Sequence, residues 1–210
     1  MQSVALIDYG SGNLRSAEKA LVRAAAGTSQ VIVTSDPDTV AAADRVVLPG
    51  VGAFAACMQA LSERPGLIEA MTQAVQEKGR PFLGVCVGMQ LLATRGLEFG
   101  ETRGLDWIAG DVRRVEPKDP SVKIPHMGWN TLIDPHGPPP IAGVGEAPMY
   151  FTHSFAFYPT SEEDVAAWVE HGERFPAAVA KNNVAGVQFH PEKSQSAGIA
   201  LLARFLEWRP

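Results

Sequence analysis

Apolar residues in the first half of the chain come in short solid runs separated by longer stretches of mixed character. Ser3-Val4-Ala5-Leu6-Ile7-Asp8, Gln30-Val31-Ile32-Val33-Thr34, Arg45-Val46-Val47-Leu48 and the run from Pro81 to Val85 are too short for helices. The first reads as a buried strand and the others as further strands of the same sheet. Between them, Leu14 to Ala26, a short Ala-rich piece before Arg45, Ala53 to Leu61 and Leu67 to Lys78 carry helical spacing, with Gly79 as a helix stop. Strands alternating with helices predict a parallel sheet covered on both faces.

The pattern changes after the next helix, predicted from Val87 to Ala93. From Gly110 to Gly186 the chain is rich in Pro and Gly, and its apolar pieces are strand-like. They are Asp111 to Val115, Trp129 to Ile133, Met149 to His153, Val165 to Val169, Ala177 to Ala180 and Val184 to Phe189. Strands that follow one another without long helices predict antiparallel or mixed pairing. Asp134 to Pro140 reads as an exposed loop, and Ser194 to Trp208 as a final helix packed back on the sheet. The expected fold class is therefore α/β, a central mixed sheet flanked by helices with antiparallel strands in the second half, forming one domain over residues 1–210.

Composition narrows the partners. A chain of 210 residues, 46% hydrophobic and 20% charged, can bury a sizeable core. Its net charge of -5 and scattered Lys and Arg residues argue against nucleic acid. No apolar run approaches the roughly 20 residues needed to cross a bilayer, and no basic leader precedes the first strand. A cytoplasmic protein is expected, without a membrane partner. Two cysteines, Cys57 and Cys86, make no disulfide framework, and Cys57 sits in a helical pattern that reads as core. The five histidines and two cysteines lack zinc-type spacing, so neither a metal nor another cofactor is expected.

Chemistry concentrates where the fourth strand ends. Gly84-Val85-Cys86-Val87-Gly88 has the form of a nucleophile elbow with Cys in place of Ser: glycines two residues to either side permit a very tight strand-to-helix turn. A thiol there meets a helix N-terminus, which favours the thiolate and offers N–H groups to an oxyanion. A buried core cysteine is the bland alternative. Pro49-Gly50-Val51-Gly52-Ala53-Phe54 ends the third strand, and its glycines can turn backbone N–H groups toward a ligand if the two strands are neighbours. Near the C-terminus, His190-Pro191-Glu192 places an imidazole and a carboxylate two residues apart, able to act as base and orienter or simply as a salt-bridged pair. Gly10-x-Gly12 after the first strand is a partial phosphate-loop match that lacks its third glycine.

Taken together, these residues resemble the class I (triad) glutamine amidotransferases. The elbow with Met89-Gln90 and the His-Pro-Glu segment carry the likeness. Within that family, the Pro49 to Phe54 loop, Ile124 to Asn130 and Gln188 to Gln195 are similar to the branch whose glutaminases serve imidazole glycerol phosphate synthesis. The likeness spans Ile7 to Ser196. It implies a flavodoxin-like α/β fold and hydrolysis of L-glutamine to glutamate and ammonia. The ammonia would pass to a separate (β/α)8-barrel cyclase subunit, in a heterodimer of histidine biosynthesis.

Carried over by position, the resemblance implies that Cys86 attacks the carboxamide, His190 moves the protons and Glu192 orients His190. The backbones of Val51 and Val87 would hold the oxyanion, and the family allows the Val51 loop to rearrange before it donates. Gly52, Gln90, Glu98, His153 and Ser154 match positions that hold the glutamine, Glu98 through the substrate ammonium. Phe155 stands where the family has a Tyr, which removes a hydroxyl. Asn13, Met127, Trp129, Asn130, Tyr150 and Lys193 match positions near the cyclase, although Trp129 fits a core residue equally well. His126 reads as structural, and His136 and His171 as solvated residues of polar turns. The rival readings are another triad glutaminase or γ-glutamyl hydrolase, and a non-catalytic regulatory module that kept the fold.

Overall fold

A computed structural model describes residues 1–10 and 12–210; Ser11, in the Gly10-x-Gly12 segment, lies outside the described residues. In chain order the elements begin β1 (Gln2–Ile7), α1 (Leu14–Ala25), β2 (Ser29–Thr34), α2 (Pro37–Ala42), β3 (Arg45–Gly50), α3 (Phe54–Ser62) and α4 (Leu67–Thr72). A π turn at Gln73–Glu77 continues α4, and Gly79, at φ +67°, ends it. Then follow β4 (Phe82–Cys86), α5 (Val87–Gln90), β5 (Arg95–Gly96), β6 (Thr102–Arg103), β7 (Gly110–Arg114), β8 (His126–Thr131), α6 (Pro139–Ala142) and β9 (Pro148–His153). The chain closes with β10 (Phe155–Pro159), β11 (Val165–Glu170), β12 (Arg174–Lys181), β13 (Val184–Val187) and α7 (Gln195–Glu207).

Among the described residues, seven strands form the central sheet in the order β11-β12-β13-β4-β3-β1-β2. Those from β13 to β2 are parallel, and β12 and β11 add antiparallel on the far side. The mixed sheet expected from the change in pattern is therefore present. Its inner parallel strands read as solid apolar runs because Val4–Ile7, Val46–Leu48 and Phe82–Leu83 are all essentially inaccessible, whereas the edge strand β2 is only partly covered. From β1 the chain steps one way to β2 and then the other way to β3, so right-handed crossovers put α1 and α2 on opposite faces. The contacts agree: α1 packs with α7, and α2 with α4. Strand order reverses at β1 and β3, and in such sheets the crevice beyond the carboxyl ends at that point receives ligands.

Three local expectations are corrected. The helix predicted from Val87 to Ala93 stops at Gln90, because the carbonyls beyond it are claimed from elsewhere: Leu91 O accepts from Leu105 N at 2.8 Å and Leu92 O from Trp107 N at 3.0 Å. The exposed loop of Asp134 to Pro140 gives way at Pro139 to α6, which Pro at its first turn favours. The strands β5, β6 and β10 were not anticipated. Two of them are two residues long, and β10 follows β9 after a single residue. With β7 they form a second small sheet, ordered β10-β7-β5-β6, while β8 and β9 make a separate two-stranded ribbon.

Candidate active site

The tight elbow exists because the backbone leaves no room for anything else. Cys86 sits at φ 55°, ψ -114°, a strained conformation for a residue with a side chain. Around it the chain is pressed against its neighbours. A Cβ on Gly88 would stand 1.9 Å from Leu48 O, and one on Gly84 would stand 2.5 Å from Gly88 O. Gly88 is thus required by contact between the elbow and β3, and Gly84 by contact with the first turn of α5. The turn presents the Cys86 thiol to a pocket of about 370 Å³ at the carboxyl edge of the sheet.

Sheet register then assembles the rest. Gly50 lies directly opposite Cys86 across the β3–β4 pair, so the loop from Pro49 to Gly52 stands beside the thiol as its sequence suggested. Val51 and Gly52 line the same pocket, Gly52 at φ +102°. Tyr9 Oη donates to Pro49 O at 2.8 Å, and the Cys57 thiol donates to Val51 O at 3.4 Å. Cys57, read from its helical pattern as core, is buried but also grips this loop. Burial pushes its thiol pKa up, which keeps it a donor. Val87 follows Cys86 as the first residue of α5 and also lines the pocket.

On the other side of β4, β13 delivers His190 and Glu192. His190 N donates to Tyr150 O at 2.9 Å, and Ser194 Oγ donates to His190 O at 2.7 Å while accepting from Tyr150 N at 3.0 Å. These bonds clamp the segment after β13 onto β9. His190 Nδ1 bonds Glu192 Oε1 at 2.7 Å, with both side chains nearly inaccessible. The second ring nitrogen, Nε2, therefore faces away from the carboxylate; it is buried and makes no aligned hydrogen bond among the described residues. Burial works against charge on this ring, but the Cys86 sulfur and Glu192 outweigh it and raise the pKa to about 9. Cys86 and His190 line the same pocket, with Nε2 turned away from Glu192. A cysteine sulfur, an imidazole that can carry a proton and a carboxyl group that orients it can attack a carbonyl and protonate its leaving group.

The residues matched to glutamine binding divide into several kinds. Gly52, Gln90, Glu98, His153 and Ser154 all line the pocket with Cys86 and His190. Gln90 Nε2 is committed, donating to Phe155 O at 2.9 Å and Gln188 Oε1 at 3.0 Å, which leaves its carbonyl for a ligand. Glu98 Oε2 accepts from Phe54 N at 2.9 Å and so caps the first turn of α3. His153 is buried and its pKa falls to about 4, first through burial and then through the His190 charge, against the pull of Phe155 O. The phenyl of Phe155 matters less than its carbonyl, which receives both Gln90 and His153 Nδ1, the latter at 2.9 Å.

Some contributors escaped the sequence reading. Gln188 is fully buried and its Nε2 lies 3.7 Å from Cys86 Sγ as a donor. Its signal was a lone amide in the otherwise apolar Val184 to Phe189 run, since a buried amide must find partners. Asn13, matched only to a partner surface, donates from Nδ2 to Glu192 Oε1 and so steadies the carboxylate. No local feature could show a contact spanning 179 positions.

Of the remaining residues matched to a partner surface, only Lys193 lines the pocket. Its Nζ lies 5.8 Å from the Tyr150 ring, whose centroid is 6.0 Å from that of Trp129. Met127 and Trp129, facing outward on β8, are 63% and 49% exposed, so the core reading of Trp129 is excluded. His171 is corrected as well. It is not merely solvated, because its ring stacks on His126 at 4.1 Å and its Nε2 bonds Lys123 O at 3.0 Å. His126 is buried, and His136 is exposed, with Nδ1 bonding Asp134 O at 2.7 Å. No helix among the described residues is long and apolar enough to cross a membrane.

An imidazole glycerol phosphate synthase subunit HisH from Caulobacter vibrioides is 62% identical over 216 residues, covering all of both chains. One of the same description from Zymomonas mobilis is 56% identical over 99% of this chain and 97% of its own. Among solved structures, a glutamine amidotransferase crystal structure superposes with a TM-score of 0.72 at 20% identity, covering 97% of each chain. The Trypanosoma brucei CTPS glutaminase domain with bound acivicin gives 0.67 at 16% identity, covering 100% of this chain and 96% of that one. The family model for glutamine amidotransferase class-I matches residues 5–208. The chain belongs to the class I glutamine amidotransferases.

Proposed function

We propose that this chain is the glutaminase subunit of an imidazole glycerol phosphate synthase, and that Cys86, His190 and Glu192 are its catalytic residues, within one domain spanning residues 1–210. The observation that carries the reading is the shared pocket in which the strained Cys86 meets a buried imidazole already polarised by Glu192. In the first half-reaction the thiolate adds to the side-chain carboxamide carbon of L-glutamine. Backbone N–H groups of Val87 and Val51 receive the oxyanion. His190 gives its proton to the departing nitrogen, the C–N bond breaks and ammonia leaves behind a γ-glutamyl thioester. In the second, neutral His190 takes a proton from water as the oxygen attacks the thioester carbon; the C–S bond breaks, glutamate leaves and the thiolate–imidazolium pair is restored. Glu98, with one oxygen on Phe54 N, offers the other to the substrate ammonium, and Gly52, Gln90, His153 and Ser154 complete the binding wall.

Ammonia released here has a use only where a second active site consumes it. The exposed Met127 and Trp129, continued by Tyr150 and Lys193 to the pocket rim, fit the centre of a docking face for a (β/α)8-barrel cyclase. Asn13 and Asn130 belong to this face by family position alone, since their amides turn inward to Glu192 and to Glu170 O, and the pair works as a heterodimer in the cytoplasm. The test compares synthesis by the reconstituted pair with glutamine or with an ammonium salt as nitrogen source. Cys86→Ala removes the glutamine-dependent reaction and leaves the ammonium-dependent one intact. Equal loss of both overturns the assignment, and rapid ammonia release without any cyclase points to a free-standing hydrolase.

A further inference from the structure

Next to the pocket lies a cluster of histidines that the triad does not use. His126 Nδ1 is 3.1 Å from His153 Nε2, His126 Nε2 is 3.2 Å from Asn130 Nδ2, and His153 Nδ1 is 2.9 Å from Phe155 O. The proton positions in this chain are fixed from both ends. At one end Asn130 Nδ2 donates to Glu170 O at 2.8 Å and Asn130 Oδ1 accepts from Thr131 N at 2.8 Å, which orients the amide unambiguously. Asn130 is then the donor to His126 Nε2. His126 must carry its proton on Nδ1, and His153 must accept it on Nε2. At the other end a carbonyl can only accept, so His153 carries its own proton on Nδ1. Each donor thus meets an acceptor, and the hydrogen bonds run from Asn130 to His126 to His153 to Phe155 O. That carbonyl also receives Gln90, which bonds Gln188, the amide beside the Cys86 sulfur.

The surroundings hold this arrangement rigid. His126 is clamped between the Phe151 ring at 4.7 Å and the His171 ring at 4.1 Å, and the cross-strand register of the ribbon sets His126 opposite His153. We propose that His126 is a positioning residue for glutamine binding: by donating from Nδ1 it fixes the tautomer and ring plane of His153 in the pocket wall, and so ties that wall to Asn130 on the exposed ribbon. The inference rests on the glutaminase reading. It assigns His126 no contact with substrate and no proton transfer in the reaction. Both rings stay neutral in this role, which leaves His190 as the one charged imidazole facing the ligand.

Two measurements on the enzyme paired with its cyclase test it. Nitrogen-15 spectra of the histidine rings at neutral pH give His153 as the Nδ1–H tautomer with Nε2 unprotonated; the Nε2–H tautomer overturns the proposal. In kinetics, His126→Phe keeps the stacked ring but not the donor, and raises KM for glutamine about tenfold with kcat changed less than about twofold. His126→Asn, whose amide nitrogen reaches the place of Nδ1, recovers most of that KM. Equal defects in both variants, or a fall in kcat with KM unmoved, assign His126 to bulk packing and overturn the proposal. A wild-type pair that releases no ammonia from glutamine sinks the glutaminase reading itself, an outcome separate from any difference between the variants.

Discussion

The elbow corner and the β8–β9 ribbon use histidine in opposite ways, although His190 is bonded through its backbone N–H to the ribbon itself. At the corner, burial is overcome: a carboxylate and a sulfur flank the ring and its pKa rises to about 9. In the ribbon, burial wins, because His126 and His153 see only neutral acceptors, each other and neighbouring imidazoles, and their values fall to about 3 and 4. Depth is similar in both places, so what separates them is whether an anion is within reach. The same contrast holds for backbone and surface. The corner stores strain in a backbone whose glycines have no room for a Cβ, while the ribbon is two strands with an exposed apolar face.

Breaking the corner has the largest effect. Gly88→Ala puts a methyl 1.9 Å from a β3 carbonyl that is fixed in the sheet, so the elbow cannot close without parting α5 from β3. We expect no folded, soluble protein, or a loss above about 4 kcal/mol in denaturant titration. Removing only the anion is gentler on the fold. Glu192→Gln leaves a hydrogen-bonding amide beside His190 but withdraws the charge and the tautomer control, and kcat should fall by about 10²- to 10⁴-fold. Because Asn13 also binds that carboxylate, Asn13→Ala should cost kcat less than Glu192→Gln does. A drop in cyclase affinity alone would return Asn13 to the docking face only.

Breaking the ribbon should spare the chemistry and weaken the pairing. Trp129→Ala removes the largest exposed apolar side chain of β8, and a loss of about 2 kcal/mol, near 30-fold in Kd for the cyclase, is expected by titration calorimetry. A normal Kd would show that the partner docks elsewhere. This difference between regions was only half legible in the sequence. The corner was readable because its requirements are local: glycines two residues either side of a cysteine, a solid apolar strand before it, and a base and acid two residues apart. The ribbon was not, since Trp129 in a strand-like pattern fits a core as well as a surface, and only the pairing of β8 with β9 alone decides it. His171 was misread for a related reason. Its Glu-His-Gly-Glu setting is that of a wet turn, and nothing nearby in sequence shows that the β11–β12 turn folds over His126. The shortened α5 belongs here too, because its carbonyls are claimed by residues more than ten positions downstream.

The smallest effect bears most directly on the contrast between the two kinds of histidine, because pH moves them in opposite senses. In the unfolded chain a histidine titrates near 6.5. Below that value the unfolded chain takes up protons that folded His126 and His153 refuse, so stability falls as pH drops from about 6.5 toward 4. The slope is at most about 1.4 kcal/mol per pH unit for each. His190 has the reverse sign: its contribution is complete below about 6.5 and is lost as pH rises through 9. Urea unfolding between pH 5 and 6.5 should therefore show a shallower slope in His126→Phe than in the wild type, by up to that amount. Between pH 7 and 9 the two should run parallel, and His190→Gln should be the variant that flattens. An acid slope untouched by His126→Phe would mean that the ribbon histidines titrate freely, and the supposed difference between the two regions would disappear.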